Sequence, residues 1–403
     1  MHKRIRIGKE DDLRVQEKLG IASIPRPKGK MIWIHAASVG ETLSILKLVK
    51  VLQEKYPHVH LLLTSGTLTS ATIVQHKFPK GVIHQYAPID FEMSVKRFLN
   101  YWLPDLAIWV ESELWPNTLG ELYRRNIPVI SLNVRFSPRS LRRWLVMKAY
   151  FIRLLSYFTE ILVQSKALEE KLRALGIKKV YYPGNLKFTA DPLAHDEAEY
   201  NNLKSQLESK LIWLAASTHP GEEEIAFKVH KKLKCSFPQL LTIIVPRHPD
   251  RGQDIFHLAQ LEHIQVQHFE TKMVLKPDSE VILINRIGVL GLFYRLCDIV
   301  FVGGSLVPAG GHNIIEPAQA GCAILHGPMM HNFNEILVHF DQFKSTLQVK
   351  DEDELLLRLK MLLENHDLKK QYIDAAMRAV GEQKTVLNNT LKHLEPYLNK
   401  LAG

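Results

Sequence analysis

The stretch Ile299-Val-Phe-Val-Gly-Gly-Ser-Leu-Val-Pro-Ala-Gly-Gly-His-Asn-Ile-Ile-Glu-Pro317 reads as a buried strand, a glycine-rich loop and the start of a helix. Gly303, Gly304, Gly310 and Gly311 let the backbone turn sharply and approach a ligand closely, and the helix beyond offers free N–H groups to an anion. That geometry suits a nucleotide phosphate. Glu316, in the first turn, has acceptor-only oxygens matched to the two hydroxyls of a ribose. The plainer reading is a cap, Asn313 with Glu316, with Pro317 where a first turn tolerates it.

Outward from this unit the same alternation repeats in both directions. Short β-branched runs at 31–35, 60–64, 106–110, 129–133 and 160–164 read as strands, with helical periods at 41–56 and 117–126 between them. A second series follows at 211–215, 241–246, 281–284, 299–302 and 323–326. Strands alternating with helices predict an α/β fold of two doubly wound, Rossmann-like units with parallel sheets. The stretch 187–200, with Asp191, Pro192 and several acids, breaks both periods and predicts the linker. Residues 1–190 and 191–403 are then the two domains, and the last helical stretch, about 367–401, has no strand after it and is free to pack back on the first. A length of 403 residues exceeds one ordinary core, and a cleft between two domains is the natural place for a site.

Composition narrows the partners. Hydrophobic residues at 46% and charged residues at 23% describe a globular chain, and a net charge of +10 asks for an anionic partner: nucleic acid, an acidic membrane, or phosphorylated and carboxylated small molecules. Cys235, Cys297 and Cys322 are widely spaced in apolar contexts, as core thiols are. No run approaches the length of a membrane span, and no signal core follows the basic N-terminus.

In open α/β sheets ligands bind beyond the carboxyl ends of the strands, so the exit loops carry the chemistry. His35-Ala-Ala-Ser-Val-Gly-Glu41 leaves the first strand. Ser38 and Glu41 have capping-box spacing, with Glu41 bonding back to the N-cap N–H, and a helix N-terminus would lower the carboxyl pKa. Burial would raise it and make Glu41 a general base; both readings stand. Pro246-Arg247-His-Pro-Asp250 ends a buried strand with a guanidinium able to fork onto phosphate. Glu111 and Glu113 follow another strand, two residues apart, either a site pair or solvated edge charges. Asp351-Glu-Asp353 fits a metal string but opens a helix, where acids answer the dipole. His326 and His331 lack metalloprotease spacing. Arg139, Arg142, Arg143 and Lys148, interleaved with Trp144, Tyr150 and Phe151, form a basic aromatic helix that suits an anionic membrane, nucleic acid, or plain packing.

Taken in order, HAASVGE (35–41), ESELWPN (111–117), SLNVRFSPRS (131–140), GNLKF (184–188), STHPGEE (217–223), PRHPD (246–250) and GGSLVPAGGHNIIEP (303–317) resemble the Kdo (3-deoxy-D-manno-octulosonic acid) transferases of lipopolysaccharide synthesis, over nearly the whole chain. The resemblance implies a GT-B fold with the acceptor in the first domain and the nucleotide sugar in the second. It implies CMP-Kdo as donor, lipid IVA as acceptor, inversion of configuration, and no cofactor or metal. The family's base falls on Glu41, with Glu111 and Lys187 supporting the transition state. CMP contacts fall on Pro246, Arg247, Ile287, Gly288, Val289, Asn313, Ile314, Ile315 and Glu316, beside Gly303 and Gly304. The implied setting is the cytoplasmic face of the bacterial inner membrane, an anionic surface, with no nucleic acid partner. The family usually begins with an apolar membrane anchor, and this sequence starts near the basic segment that would follow it, Arg4-Ile-Arg-Ile-Gly-Lys-Glu10; either an anchor precedes this sequence or this member relies on its surface, with 139–158 then the expected contact. Its Gly-Glu-Leu reads Gly288-Val289-Leu290 here, which leaves only backbone contacts at that position. The rivals are another GT-B transferase, a nucleotide-sugar epimerase, or a non-catalytic binder.

Overall fold

The computed structural model describes residues 11–402, so the basic segment 4–10 lies outside the described residues. Two compact units divide the chain: the residues up to Asp191 together with those from Gln383 onward, and Pro192–Glu382.

The first unit is built on a seven-stranded, all-parallel sheet of β1 (Met31–His35), β2 (His60–Ser65), β3 (Ile83–Tyr86), β4 (Leu106–Val110), β5 (Val129–Val134), β6 (Glu160–Val163) and β7 (Val180–Tyr181). Its spatial order is β3-β2-β1-β4-β5-β6-β7. β1 and β4 are buried along their whole length because helices cover both faces. Within them the pleat still sorts side chains: Ile32, Ile34, Leu106 and Ile108 fill one core layer, while Met31, Trp33, Ala107 and Trp109 fill the other. Trp33 meets Trp109 edge-on with ring centroids 5.3 Å apart.

The second unit repeats the plan with β8 (Leu211–Thr218), β9 (Leu240–Pro246), β10 (Val266–His268), β11 (Val281–Leu283), β12 (Ile299–Val302), β13 (Ala323–His326) and β14 (Thr346–Gln348), in the order β10-β11-β9-β8-β12-β13-β14.

Four strands escape the sequence reading: β3, β7, β10 and β14. All lie at or next to a sheet edge and are two to four residues long. Half-covered edges need no long apolar run, and Ile83-His-Gln-Tyr86 offers none. The helix expected over 41–56 is two, Val39–Ser44 and Leu46–Lys55, parted at Ile45. The expected linker over 187–200 is more structured: a 3₁₀ turn spans Leu186–Thr189, and Asp196 caps a helix over Glu197–Leu207. The stretch 367–401 divides as well. His366–Glu382 belongs to the second unit, whereas Val386–Ala402 belongs to the first and buries Leu391, Leu394 and Leu398 against the layer containing Ile34, Leu48 and Leu52. Cys297 and Cys322 are buried as expected of core thiols; Cys235, at a helix C-cap, is exposed.

Candidate active site

Each sheet reverses its winding once. In the first, the chain steps from β1 to β2 and β3 on one side, then crosses to β4 on the other, which opens a crevice at the carboxyl ends of β1 and β4. Glu41 follows β1 and Glu111 follows β4. In the second, β9, β11 and β10 lie on one side of β8 and β12 on the other, so the crevice falls between the exits of β8 and β12.

In the first crevice Ser38 caps the helix Val39–Ser44, accepting from the Glu41 N–H at 3.3 Å. Glu41 closes the loop differently from the expected box. Its Oε2 accepts from the Ala37 N–H at 2.7 Å and its Oε1 from the Ser38 hydroxyl at 3.0 Å, so the reciprocal bond falls one residue earlier, on Ala37 rather than on the N-cap N–H. These bonds draw the carboxylate inward until it is 7% exposed. Burial, then the negative charge of Glu111, lift its carboxyl from 4.5 to about 7, while the bonds from Ala37 and Ser38 pull the other way. The cap and the raised pKa coexist.

Glu111 does not share a strand face with Glu113. β4 ends at Val110, and Glu111 takes a left-handed conformation, φ 58°, that swings it off the pleat. It is buried, and its two oxygens accept from Arg135 Nε at 2.9 Å and Lys187 Nζ at 3.1 Å. Glu113 instead accepts from the Trp115 indole N–H at 2.7 Å. His35, fully buried and brought down to about 3 by that burial, keeps a neutral ring against Trp109 and Trp115, with centroids at 4.3 and 4.5 Å.

Lys187 rides on the 3₁₀ turn, which a buried amide network holds. Asn133, also left-handed at φ 57°, accepts from the Leu186 N–H at 3.0 Å through Oδ1. Gln164 Nε2 donates to the Asn133 carbonyl at 3.1 Å, Asn185 Nδ2 donates to Gln164 Oε1 at 2.7 Å, and Asn185 Oδ1 accepts from the Lys187 N–H at 3.0 Å. Arg135 and this network were not singled out from sequence, although their motifs were; nothing in a string of residues marks a left-handed asparagine.

In the second crevice the glycine loop is less open than its sequence implies. The Gly303 N–H donates to the Ala216 carbonyl at 2.8 Å, and the Gly304 N–H to Glu222 at 2.6 Å. A Cβ on Gly303 would meet the Ser217 carbonyl oxygen at 2.6 Å, so this glycine serves the close approach of two protein loops. Asn313 Oδ1 accepts from the Ile315 N–H at 3.0 Å and its Nδ2 donates to Glu316 Oε1 at 3.0 Å, but the expected cap is not formed: the N-cap is Ile314, with no side-chain bond, and Asn313 makes a turn one residue ahead of it, with Ile314 and Ile315 buried beneath. His312 and His219 share a hydrogen bond between their Nε2 atoms at 2.9 Å, so one ring donates and the other accepts. Burial, followed by the charges around it, lowers His312 to about 4.

Pro246 ends β9, buried, and the Arg247 N–H donates to the Thr218 carbonyl at 3.0 Å. The Arg247 side chain is exposed, makes no hydrogen bond among the described residues, and lies near enough to depress His312 and His219. Ile287, Gly288 and Val289 follow β11, the strand beyond β9, and precede the helix Leu290–Leu296. Ile287 is 84% exposed, and Gly288, φ 89°, has nothing within 4 Å of where a Cβ would stand. The structure thus gathers the exits of β8, β9 and β12 and places 287–289 one strand further out. Asp351 caps the helix Glu352–Glu364 by accepting from the Glu354 N–H at 3.0 Å, and Asp353 pairs with Lys232 at 3.4 Å.

Two doubly wound parallel sheets, each with polar chemistry gathered at its switch point, define a GT-B type α/β enzyme fold. A putative UDP-N-acetylglucosamine 2-epimerase from Listeria monocytogenes shares that fold with a TM-score of 0.62 at 12% identity, over 92% of this chain and 97% of that one. The sequence is more specific. Residues 13–190 match the family described as 3-deoxy-D-manno-octulosonic-acid transferase. The 3-deoxy-D-manno-octulosonic acid transferase of Rickettsia bellii is 35% identical over 96% of this chain and 93% of its own length, and that of Haemophilus influenzae is 36% identical over 96% and 92%. The chain belongs to the Kdo transferase family and is a glycosyltransferase.

Proposed function

We propose that this chain transfers Kdo from CMP-Kdo to lipid IVA with inversion, using Glu41 as general base and no metal at the donor phosphate. The observation that carries the reading is the Glu41 carboxyl, buried at the β1 exit and raised to about 7, where a base is best matched to neutral pH. An acceptor hydroxyl gives its proton to Glu41 as its oxygen attacks the Kdo anomeric carbon. The bond from that carbon to the phosphate oxygen breaks, and its electron pair leaves with CMP. Lys187 and Arg135 grip Glu111 from either side and fix its carboxylate close to the β1 exit. On the donor side Arg247 supplies an uncommitted guanidinium for the single phosphate. The family supports the donor and a lipid acceptor.

In the helix Pro138–Val146 no side chain is fully buried; Leu141 and Trp144 pack half-buried against the core, Trp144 stacked on Phe151, while Leu145, Val146, Met147 and Tyr150 stand exposed among Arg139, Arg142, Arg143 and Lys148. Bases flanking apolar side chains fit an anionic membrane surface, the place where a lipid acceptor resides. Among the described residues no helix is long and apolar enough to cross a membrane.

The deciding experiment is product mass after incubating wild type and Glu41→Gln with CMP-Kdo and lipid IVA. Wild type is expected to add Kdo, and a folded Glu41→Gln to lose roughly 10²- to 10⁴-fold in rate. Full turnover by the variant rejects the base. Titration with CMP against UDP separates this reading from an epimerase or another GT-B enzyme, since a UDP preference contradicts it.

A further inference from the structure

The loop leaving β12 presents three successive N–H groups to a single internal anion. Glu222, 1% exposed, accepts through Oε2 from Gly304 at 2.6 Å and His219 at 2.9 Å, and through Oε1 from Ser305 and Leu306, both at 3.0 Å. Gly304, φ 64°, turns the chain so that these donors converge; a side chain there would press on His312 and His219 at 3.1–3.2 Å. Such a concavity of N–H groups is what elsewhere cradles phosphate. Here it is full.

No cation pairs with Glu222 among the described residues, so backbone dipoles alone offset the burial of its charge. Burial pushes its carboxyl above the ordinary range and the four N–H bonds oppose that push. With two donors on each oxygen, the geometry has room for no carboxyl proton. The bonds also span the exits of β8, through His219, and of β12, through Gly304 to Leu306, the two strands that flank the crevice.

We infer that Glu222 is a positioning residue for the donor: an internal anion that fills the β12 nest, ties the exits of β8 and β12 together, and thereby leaves the nucleotide phosphate to Arg247 and the 313–316 turn. This rests on the reading that the second crevice takes CMP. The His219–His312 pair is then set by Glu222, because one of its members is anchored through its own N–H.

Glutamine is nearly the same size but would turn an amide NH₂ toward two N–H donors, so the inference separates charge from volume. Glu222→Gln and Glu222→Ala are each expected to weaken CMP binding about 30-fold, the loss of roughly 2 kcal/mol of charged hydrogen bonding. Acetate should restore about tenfold of that in Glu222→Ala and raise its Tm, with no effect on wild type or Glu222→Gln and none from chloride at equal ionic strength. If Glu222→Ala does not fold, Glu222→Gln decides. Wild-type CMP affinity in Glu222→Gln, or a Glu222→Ala whose Tm ignores acetate, overturns the inference. A wild type that binds no CMP, beside an alanine variant still stabilised by acetate, would instead overturn the donor reading and leave the filled nest standing.

Discussion

Lys187 Nζ lies 3.1 Å from Glu111 Oε1, on a carboxylate whose other oxygen is held by Arg135, and that shared acid carries the larger of the two negative charges' effects that raise Glu41. The four residues come from the exits of β1, β4 and β5 and from the turn after β7. A change at one should be read in the titration of another.

Glu111→Gln removes a negative charge that raises Glu41, so the acid limb of kcat should move below pH 7. Lys187→Met leaves Glu111 less neutralised and should move the limb upward. Rate profiles between pH 5 and 9 check both, and shifts of the same sign would refute the coupling.

Glu41 also costs stability. Its carboxyl holds a proton to about pH 7 in the fold against 4.5 ordinarily, so the protonated form favours folding, and stability falls as pH rises from 4.5 through 7. The stability difference between Glu41→Gln and wild type should therefore grow with pH in the variant's favour. The change is at most about 3 kcal/mol between pH 4.5 and pH 8. Denaturant titrations at the two pH values measure it, and a constant difference would show an unperturbed acid.

Gly184 has φ 111°, and a Cβ there would meet Val386 Cγ2 at 2.3 Å. Gly184→Ala should destabilise the first unit by about 3 kcal/mol, combining overpacking with an unfavourable φ. Gly176→Ala, at φ 91° with open space around it, should cost only about 1 kcal/mol. Equal Tm losses would mean that helix Val386–Ala402 yields easily.

Arg247→Ala should weaken CMP about 10- to 100-fold with little change in Tm, because the guanidinium makes no bond within the protein among the described residues. Calorimetry and a melting curve on the same sample test both halves.

Replacing Arg142 and Arg143 with Glu should abolish sedimentation with anionic vesicles, each basic side chain being worth about 1 kcal/mol at such a surface. Turnover of a soluble acceptor fragment should survive. Unchanged sedimentation would move the contact elsewhere.

Much of this was visible in the chain alone, for identifiable reasons. The runs that became β1, β4, β9 and β12 are continuous and apolar because helices cover both of their faces, and such strands announce themselves. The spacing of Ser38 and Glu41 announced a cap. Whether Glu41 was also a raised-pKa base depended on burial and on Glu111, a competition of opposing shifts that spacing does not resolve. Glu111 and Asn133 read as ordinary strand-end residues until their left-handed conformations are seen. Four glycines suggested an open anion cradle, yet its occupant is Glu222, from the β8 exit, a pairing of distant loops that no local pattern encodes.

The helix Val386–Ala402 completes the hydrophobic layer around Ile34, Leu48 and Leu52. On the ribosome, therefore, the half of the protein translated first is the half that finishes last: its sheet must wait, with Leu186 and its neighbours uncovered, while the whole of the second unit is synthesised. Truncation within Val386–Ala402 would spare the later-made unit and leave the earlier-made one for chaperones to hold.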